Sequence, residues 1–168
     1  MIELVIGGAR SGKSSYAERL ALESGLRVTY IATCEARDDE MGERIAHHRD
    51  RRPAEWRTVE EPLLLADALR REAAADTCVL VDCLTLWLSN ALLANSPGHE
   101  EEIDKLLATL PTLPGRVILV SNEVGWGIVP ENALARRFRD EQGRLNQRIA
   151  AIADQVTLVA AGLPLQLK

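Results

Sequence analysis

The sequence predicts an α/β fold, a mostly parallel β-sheet with helices on both faces, built around one phosphate-binding loop. Three observations carry the prediction. The octapeptide Gly7-Gly8-Ala9-Arg10-Ser11-Gly12-Lys13-Ser14 matches G-x-x-x-x-G-K-[ST] in full, and it stands between an apolar run at 2–6 and a helix-forming segment at 15–22. Strand-like apolar runs then alternate with amphipathic helix-like segments along the chain. A second apolar run, Thr77-Cys78-Val79-Leu80-Val81, ends on the carboxylate of Asp82, the form of a buried parallel strand delivering a metal-binding aspartate.

The length of 168 residues suits one α/β domain, 1–168, with a core of its own. With 20 basic against 25 acidic residues the net charge is -5, which argues against a nucleic-acid-binding surface and for small-molecule phosphate chemistry. Cys34, Cys78 and Cys83 form no C-x-x-C pair, and an odd number fits a reducing compartment better than a disulfide framework. There is no basic leader segment and no apolar run near the ~20 residues of a membrane span, so the expected setting is cytoplasmic.

In the phosphate loop, glycines let successive amides curl around phosphate oxygens, and the helix starting near Lys13 turns its positive end to the anion. Lys13 would reach the β and γ phosphates, and Ser14 would ligate Mg²⁺. Gly25 is placed to end this first helix, and Arg27–Thr33 is β-rich enough for the second strand. Its carboxyl end puts Thr33 and Cys34 near the nucleotide, although a hydroxyl there can equally terminate the strand.

Residues 38–53 begin acidic and end basic before Pro53, which suits a helix dipole. On that helix Met41, Ile45 and His48 share one side, whereas His47 stacks with Glu40, Glu43 and Arg44 on the polar side. Of the two, the geometry favours His47 as the exposed, reactive imidazole and His48 as the packed one, but on periodicity alone a solvated His-His pair is the favoured reading. Trp56–Glu60 reads as a short extended piece, and Pro62 opens an amphipathic helix through Leu69. Glu60, between the two, suits either a ligand contact or a helix N-terminus.

Asp82 would hold Mg²⁺ directly or through water. Leu84–Leu93 continue as an apolar helix whose Trp87 belongs to the core, followed by a loop at 95–99 with His99 on the surface and a charged helix from Glu100 to about Leu110. Arg116–Ser121 is another buried strand and delivers Asn122–Pro130 to the functional edge, where two glycines and Trp126 favour a substrate loop. Glu131–Ala153 forms a long helix with an apolar stripe of Leu134, Phe138, Leu145, Ile149 and Ile152, leaving Asn146 among the arginines of the polar side. Residues 155–160 and 163–167 read as a C-terminal hairpin at the sheet edge, where Pro164 is tolerated.

Taken together, GGARSGKS, Tyr30-Ile31-Ala32-Thr33, Asp38-Asp39-Glu40-Met41, Ile45-Ala46-His47-His48, Arg52-Pro53, Trp56-Arg57-Thr58, Asn122-Glu123-Val124-Gly125 with Gly127–Asn132, and Phe138-Arg139-Asp140 with Asn146-Gln147-Arg148 make a specific set. The chain resembles the bifunctional adenosylcobinamide kinase / adenosylcobinamide-phosphate guanylyltransferase family of cobalamin biosynthesis. The resemblance implies a RecA-like P-loop NTPase fold and two successive reactions. Adenosylcobinamide is phosphorylated with ATP or GTP, and GMP is then transferred from GTP to adenosylcobinamide phosphate through a guanylylated histidine. By resemblance the nucleophile is His47, and nucleotide contacts fall on Gly7, Gly8, Ala9, Arg10, Ser11, Gly12, Lys13, Ser14, Ala32, Thr33, Cys34, His48, Arg49, Asp50, Arg51, Glu60 and Asp82. It also implies a homo-oligomer, a trimer. Residues 63–113 depart most from the family pattern; apart from the nucleotide contact at Asp82, a position that can be Asp or Glu in relatives, the resemblance assigns no contact there. Two rival readings are a single-function kinase for another small alcohol, with structural histidines, and a nucleotide-dependent switch without a small-molecule acceptor.

Overall fold

A computed structural model describes residues 1–34, 53–94 and 98–168. In chain order the elements are β1 (Ile2–Gly7), α1 (Lys13–Glu23), β2 (Arg27–Ala32), β3 (Arg57–Glu60), α2 (Leu65–Glu72), β4 (Thr77–Asp82), α3 (Leu84–Leu93), α4 (His99–Thr109) with a 3-10 turn Leu110–Thr112, β5 (Arg116–Asn122), α5 (Ala133–Ile152), β6 (Gln155–Ala160) and β7 (Leu163–Gln166). The seven strands form one sheet in the order β3-β2-β4-β5-β1-β6-β7. Every neighbouring pair is parallel except β6 and β7.

Strands buried on both faces need apolar residues in succession rather than in alternation. In β4, Cys78, Val79, Leu80 and Val81 are all buried, and the pleat sends them alternately to opposite faces. Val79 and Val81 join Leu69, Leu84, Trp87, Leu106 and Ile149 on the face covered by α2, α3, α4 and α5. Cys78 and Leu80 join Val5, Tyr30, Ile118 and Val120 beneath Ala17 and Ala21 of α1. Trp87 is fully buried and donates its indole N–H to the Leu63 carbonyl at 2.8 Å, so its polar handle is satisfied inside the core.

Five local expectations differ from the structure. The second helix begins at Leu65 rather than Pro62, because the Glu61 carboxylate accepts from the amides of Leu63 and Leu64 and holds 62–64 in a turn. His99 is not on the surface: it opens α4 and is 9% exposed. Leu134, at the start of α5, lies outside the buried stripe and is exposed. Asn146 is buried, since β5 ends on Ser121, whose hydroxyl donates to Asn146 Oδ1 at 2.6 Å. In the C-terminal hairpin only β7 is an edge strand; β6 lies against β1.

Candidate active site

The first strand, the loop and α1 form one continuous unit. Gly7 ends β1 where an added Cβ would approach the Val159 carbonyl oxygen to 2.6 Å, so the close passage against β6 excludes a side chain. Arg10 (φ 55) and Gly12 (φ 91) both take left-handed backbone, which curls the chain back before α1 starts. Gly12 receives the first helical bond from the Tyr16 amide at 3.0 Å, and no side chain caps this terminus. The first-turn amides are therefore left to an anion. Lys13 is 9% exposed, and its ammonium donates to the Gly8 carbonyl at 3.1 Å, folding it back over the loop. Phosphate oxygens are stronger, charged acceptors than that carbonyl.

A support for the loop comes from the far end of the chain. The Gly162 amide, at the tip of the β6–β7 hairpin, donates to the Ser11 carbonyl at 2.8 Å. Nothing local in the octapeptide announces this partner, which lies some 150 residues away along the chain.

The strands deliver the remaining groups to the same edge. Ala32 is in register with Glu60 on one side and Asp82 on the other, while Gly7 is in register with Asn122 and Val159. Asp82 follows Cys78 and Leu80 in the pleat, so its carboxylate lies on the α1 face, where it accepts from the Tyr30 hydroxyl at 3.1 Å. Ser14 lies in the first turn of α1, half-buried. A carboxylate and a hydroxyl are hard oxygen donors, the kind Mg²⁺ accepts, and the remaining positions suit phosphate oxygens and water. Among the described residues no group of three or more His, Cys, Asp and Glu side chains could hold a metal by itself.

Thr33 is wholly buried, and its hydroxyl is engaged by the backbone of Cys83, accepting from the amide at 2.9 Å and donating to the carbonyl at 2.7 Å. Asn90 completes this clamp by donating to the Thr33 carbonyl at 2.8 Å. Thr33 thus ties the end of β2 to the end of β4. Cys34 is half-buried just beyond it, and Glu60 is exposed at the end of β3. Burial, reinforced by the negative charge of Asp82, pushes the Cys83 thiol up to about 11, so it stays protonated and unreactive near neutral pH. His47, His48, Arg49, Asp50 and Arg51 lie outside the described residues.

Beyond β5 a polar cluster ties the sheet edge to α5. Gln142 donates to the Ser121 hydroxyl at 2.9 Å and to Asn146 Oδ1 at 3.0 Å, and Asn146 Nδ2 donates to the Asn122 carbonyl at 3.1 Å. Asn132 caps α5 by accepting from the amides of Leu134 and Ala135. Between the two asparagines the segment 123–131 exposes Trp126 (78%), Ile128 (97%) and Val129 (57%), an apolar surface beside the phosphate edge.

The family model described as cobinamide kinase / cobinamide phosphate guanyltransferase matches residues 3–167. The chain belongs to this family. A protein of Pseudomonas aeruginosa named bifunctional adenosylcobalamin biosynthesis protein CobP is 60% identical over 169 residues, covering 100% of this chain and 98% of the relative. The Salmonella typhimurium protein named bifunctional adenosylcobalamin biosynthesis protein CobU is 46% identical over the full length of both chains. Among solved structures the RadB recombinase superposes with a TM-score of 0.54 at 18% identity, covering 94% of this chain and 73% of that one. An ATPase of a type III secretion system gives 0.55 at 14% identity, covering 94% and 51%. Those two likenesses bear on the fold alone: a mostly parallel sheet with helices on both faces, consistent with the RecA-like architecture expected from the sequence. No helix of the described residues is long and apolar enough to cross a membrane.

Proposed function

We propose that the sheet edge carrying Lys13 and Asp82 serves both activities of the family: phosphorylation of adenosylcobinamide by ATP or GTP, and transfer of GMP from GTP to the resulting phosphate. One observation carries this reading. The loop amides, Lys13 and Asp82 converge on the α1 face of one sheet edge, leaving a cationic cradle with a carboxylate opposite. In the kinase step the acceptor hydroxyl oxygen attacks the γ-phosphorus, the bond to the β–γ bridging oxygen breaks, and nucleoside diphosphate leaves with the electron pair. Lys13 and the uncapped amides bind and orient the triphosphate and balance charge on the departing oxygens. Ser14 and Asp82 would hold Mg²⁺, which supplies further charge neutralisation when bound.

For the second step we assign the nucleophile to His47, by its place in the family's Ile-Ala-His-His segment and, on the helix that the sequence alone predicts, by its place among polar residues. A histidine of ordinary pKa, about 6.5, has a neutral fraction at neutral pH able to attack the α-phosphorus of GTP, releasing pyrophosphate. The phosphate of the acceptor then attacks the same phosphorus and frees the imidazole. The remaining nucleotide contacts assigned by resemblance are Ala32, Thr33, Cys34, His48, Arg49, Asp50, Arg51 and Glu60. Because the Thr33 side chain is engaged by Cys83, its contribution to such contacts is the placement of its neighbours. The exposed loop 123–131 is assigned to the corrinoid acceptor. A homo-oligomer, by the resemblance a trimer, is assigned, and the exposed Leu163 and Leu165 of β7 would suit a contact between copies; free cysteines fit a cytoplasmic setting.

The test uses GTP labelled at the α- or the γ-phosphate with Mg²⁺. The α-label should remain on the protein as an acid-labile, base-stable phosphorus-nitrogen adduct, and the γ-label should leave in pyrophosphate. His47→Ala should abolish the adduct while retaining more kinase than transferase activity; an undiminished α-label on that variant removes His47 from the mechanism.

A further inference from the structure

Asn122, at the end of β5, has its backbone held from both sides while its side-chain oxygen is buried without a partner among the described residues. Its amide donates to the Thr85 hydroxyl at 2.8 Å, and its carbonyl accepts from Asn146 Nδ2 at 3.1 Å. Gln142 and Ser121 hold Asn146 in turn. The Asn122 Oδ1 atom is buried and finds no hydrogen-bond donor among the described residues. Buried carbonyl oxygens are rarely left so in a native protein, because water that once solvated them is not replaced.

Strand order and pleat together say where this oxygen sits. β5 lies between β4, which ends on Asp82, and β1, which ends on Gly7. Asn122 is in register with Gly7, and the next amide, that of Glu123, donates to the Gly7 carbonyl at 3.0 Å. Ile118 and Val120 point to the α1 face, whereas Val117 and Leu119 point to the opposite one, as does Ser121 toward α5. Alternation therefore places the Asn122 side chain on the α1 face. That is the face on which α1 and Asp82 lie, and Asn122 stands between the end of β4 at Asp82 and the end of β1 where the phosphate loop begins.

We propose that Asn122 is a catalytic residue of the kinase step: its Oδ1 accepts a hydrogen bond from the attacking O–H group and aims that oxygen at the γ-phosphorus. An acceptor oxygen would repel phosphate oxygens but suits a hydroxyl donor, and a carboxamide does not take up the proton at neutral pH. The carboxamide orients, and the proton departs with the transferred phosphoryl group or to solvent as the new O–P bond forms. The donor is an alcohol hydroxyl when acceptor is bound, or a water in its place. Thr85 and Asn146 are positioning residues that act through the Asn122 backbone. The inference rests on the reading that the phosphate loop serves the kinase step.

The experiment compares wild type, Asn122→Ala, Asn146→Ala and Lys13→Ala as full chains, measuring phosphoryl transfer from GTP to adenosylcobinamide, GTP hydrolysis without acceptor, and ligand-free melting. Asn122→Ala should lower kcat for transfer by about 10- to 100-fold with KM for GTP changed less than about threefold, the split expected of an orienting group. Its melting temperature should not fall, since the deleted oxygen had no partner. If hydrolysis falls in parallel, the donor is any O–H nucleophile at that position, and if only transfer falls, it is the acceptor hydroxyl. Asn146→Ala should show the same split to a smaller degree, with a loss of stability. Wild-type kcat in Asn122→Ala, with Lys13→Ala inactive, overturns the proposal and leaves the loop reading standing. A fall in kcat that tracks a fall in melting temperature, and disappears on cooling, also overturns it. Full transfer by Lys13→Ala overturns the loop reading and this proposal with it.

Discussion

The two ends of the same sheet are built on opposite rules. At the amino-terminal ends of the strands polar groups are saturated. The Arg116 guanidinium donates to both oxygens of Glu3 and to the Leu20 carbonyl, Arg27 makes a two-pronged contact with Asp76, the terminal ammonium donates to the Gly115 carbonyl, and the Ile2 amide donates to the Asp154 carboxylate. At the carboxyl-terminal ends the backbone enters left-handed turns, Ser11 Oγ and Asn122 Oδ1 are buried without partners among the described residues, and a nearly buried ammonium rests on a neutral carbonyl. The groups named at the first end are spent on the fold; at the second, the clamps around Thr33 and Asn146 hold the frame while Lys13, Ser11 Oγ and Asn122 Oδ1 are left to a ligand.

This contrast can be broken from either side. The largest effect should come at the phosphate end: Lys13→Ala should lower kcat/KM of both reactions by about a thousandfold, or ~4 kcal/mol of transition-state stabilisation, with an unchanged unfolding curve. Steady-state assays of each reaction check it. At the opposite end, Glu3→Gln leaves the guanidinium of Arg116, only 20% exposed, without its counter-charge. Denaturant unfolding should then show a loss of about 3 kcal/mol, with kcat and KM per folded molecule unaltered.

The cysteines of β4 and its exit sample both ends. Cys78 stands near Arg116, whose charge partly offsets burial, and Cys83 stands beside Asp82, whose charge adds to it; both thiols are pushed from 9.0 to about 11. With the folded value above the unfolded one, their contribution is complete below pH 9 and is lost as pH rises toward 11, because only the unfolded chain releases the proton in that window. Each thiol should then cost about 2 to 3 kcal/mol of stability by pH 11. Unfolding at pH 8 and pH 10.5 should show the decline in wild type and a flatter profile in Cys78→Ala/Cys83→Ala. The smallest effect concerns the loop between the two asparagines. Trp126→Ala should raise KM for adenosylcobinamide about tenfold, near 1.4 kcal/mol, with stability held within about 0.5 kcal/mol because the ring is 78% exposed. Unchanged KM would move corrinoid recognition away from this loop.

What the sequence by itself determined lies in short windows. The strand-loop-helix around Gly7–Ser14, the apolar strand ending at Asp82 and the core position of Trp87 follow from spacing and periodicity, and each appears in the structure where the residues place it. The membership of the family is equally legible, because its motifs are contiguous runs. What only the tertiary structure decided are pairings between distant segments. His99 is buried although its neighbours are polar, Asn146 faces Ser121 rather than water, Thr33 spends its hydroxyl on Cys83, and Gly162 props Ser11. Local propensity cannot encode these, because a polar side chain near an element's end is indifferent between solvent and a buried partner until the strand order brings one within hydrogen-bond reach. The strand order that sets β5 between β4 and β1 does so for Asn122, turning a letter in a motif into a buried oxygen, unpaired among the described residues, between Asp82 and the start of the phosphate loop.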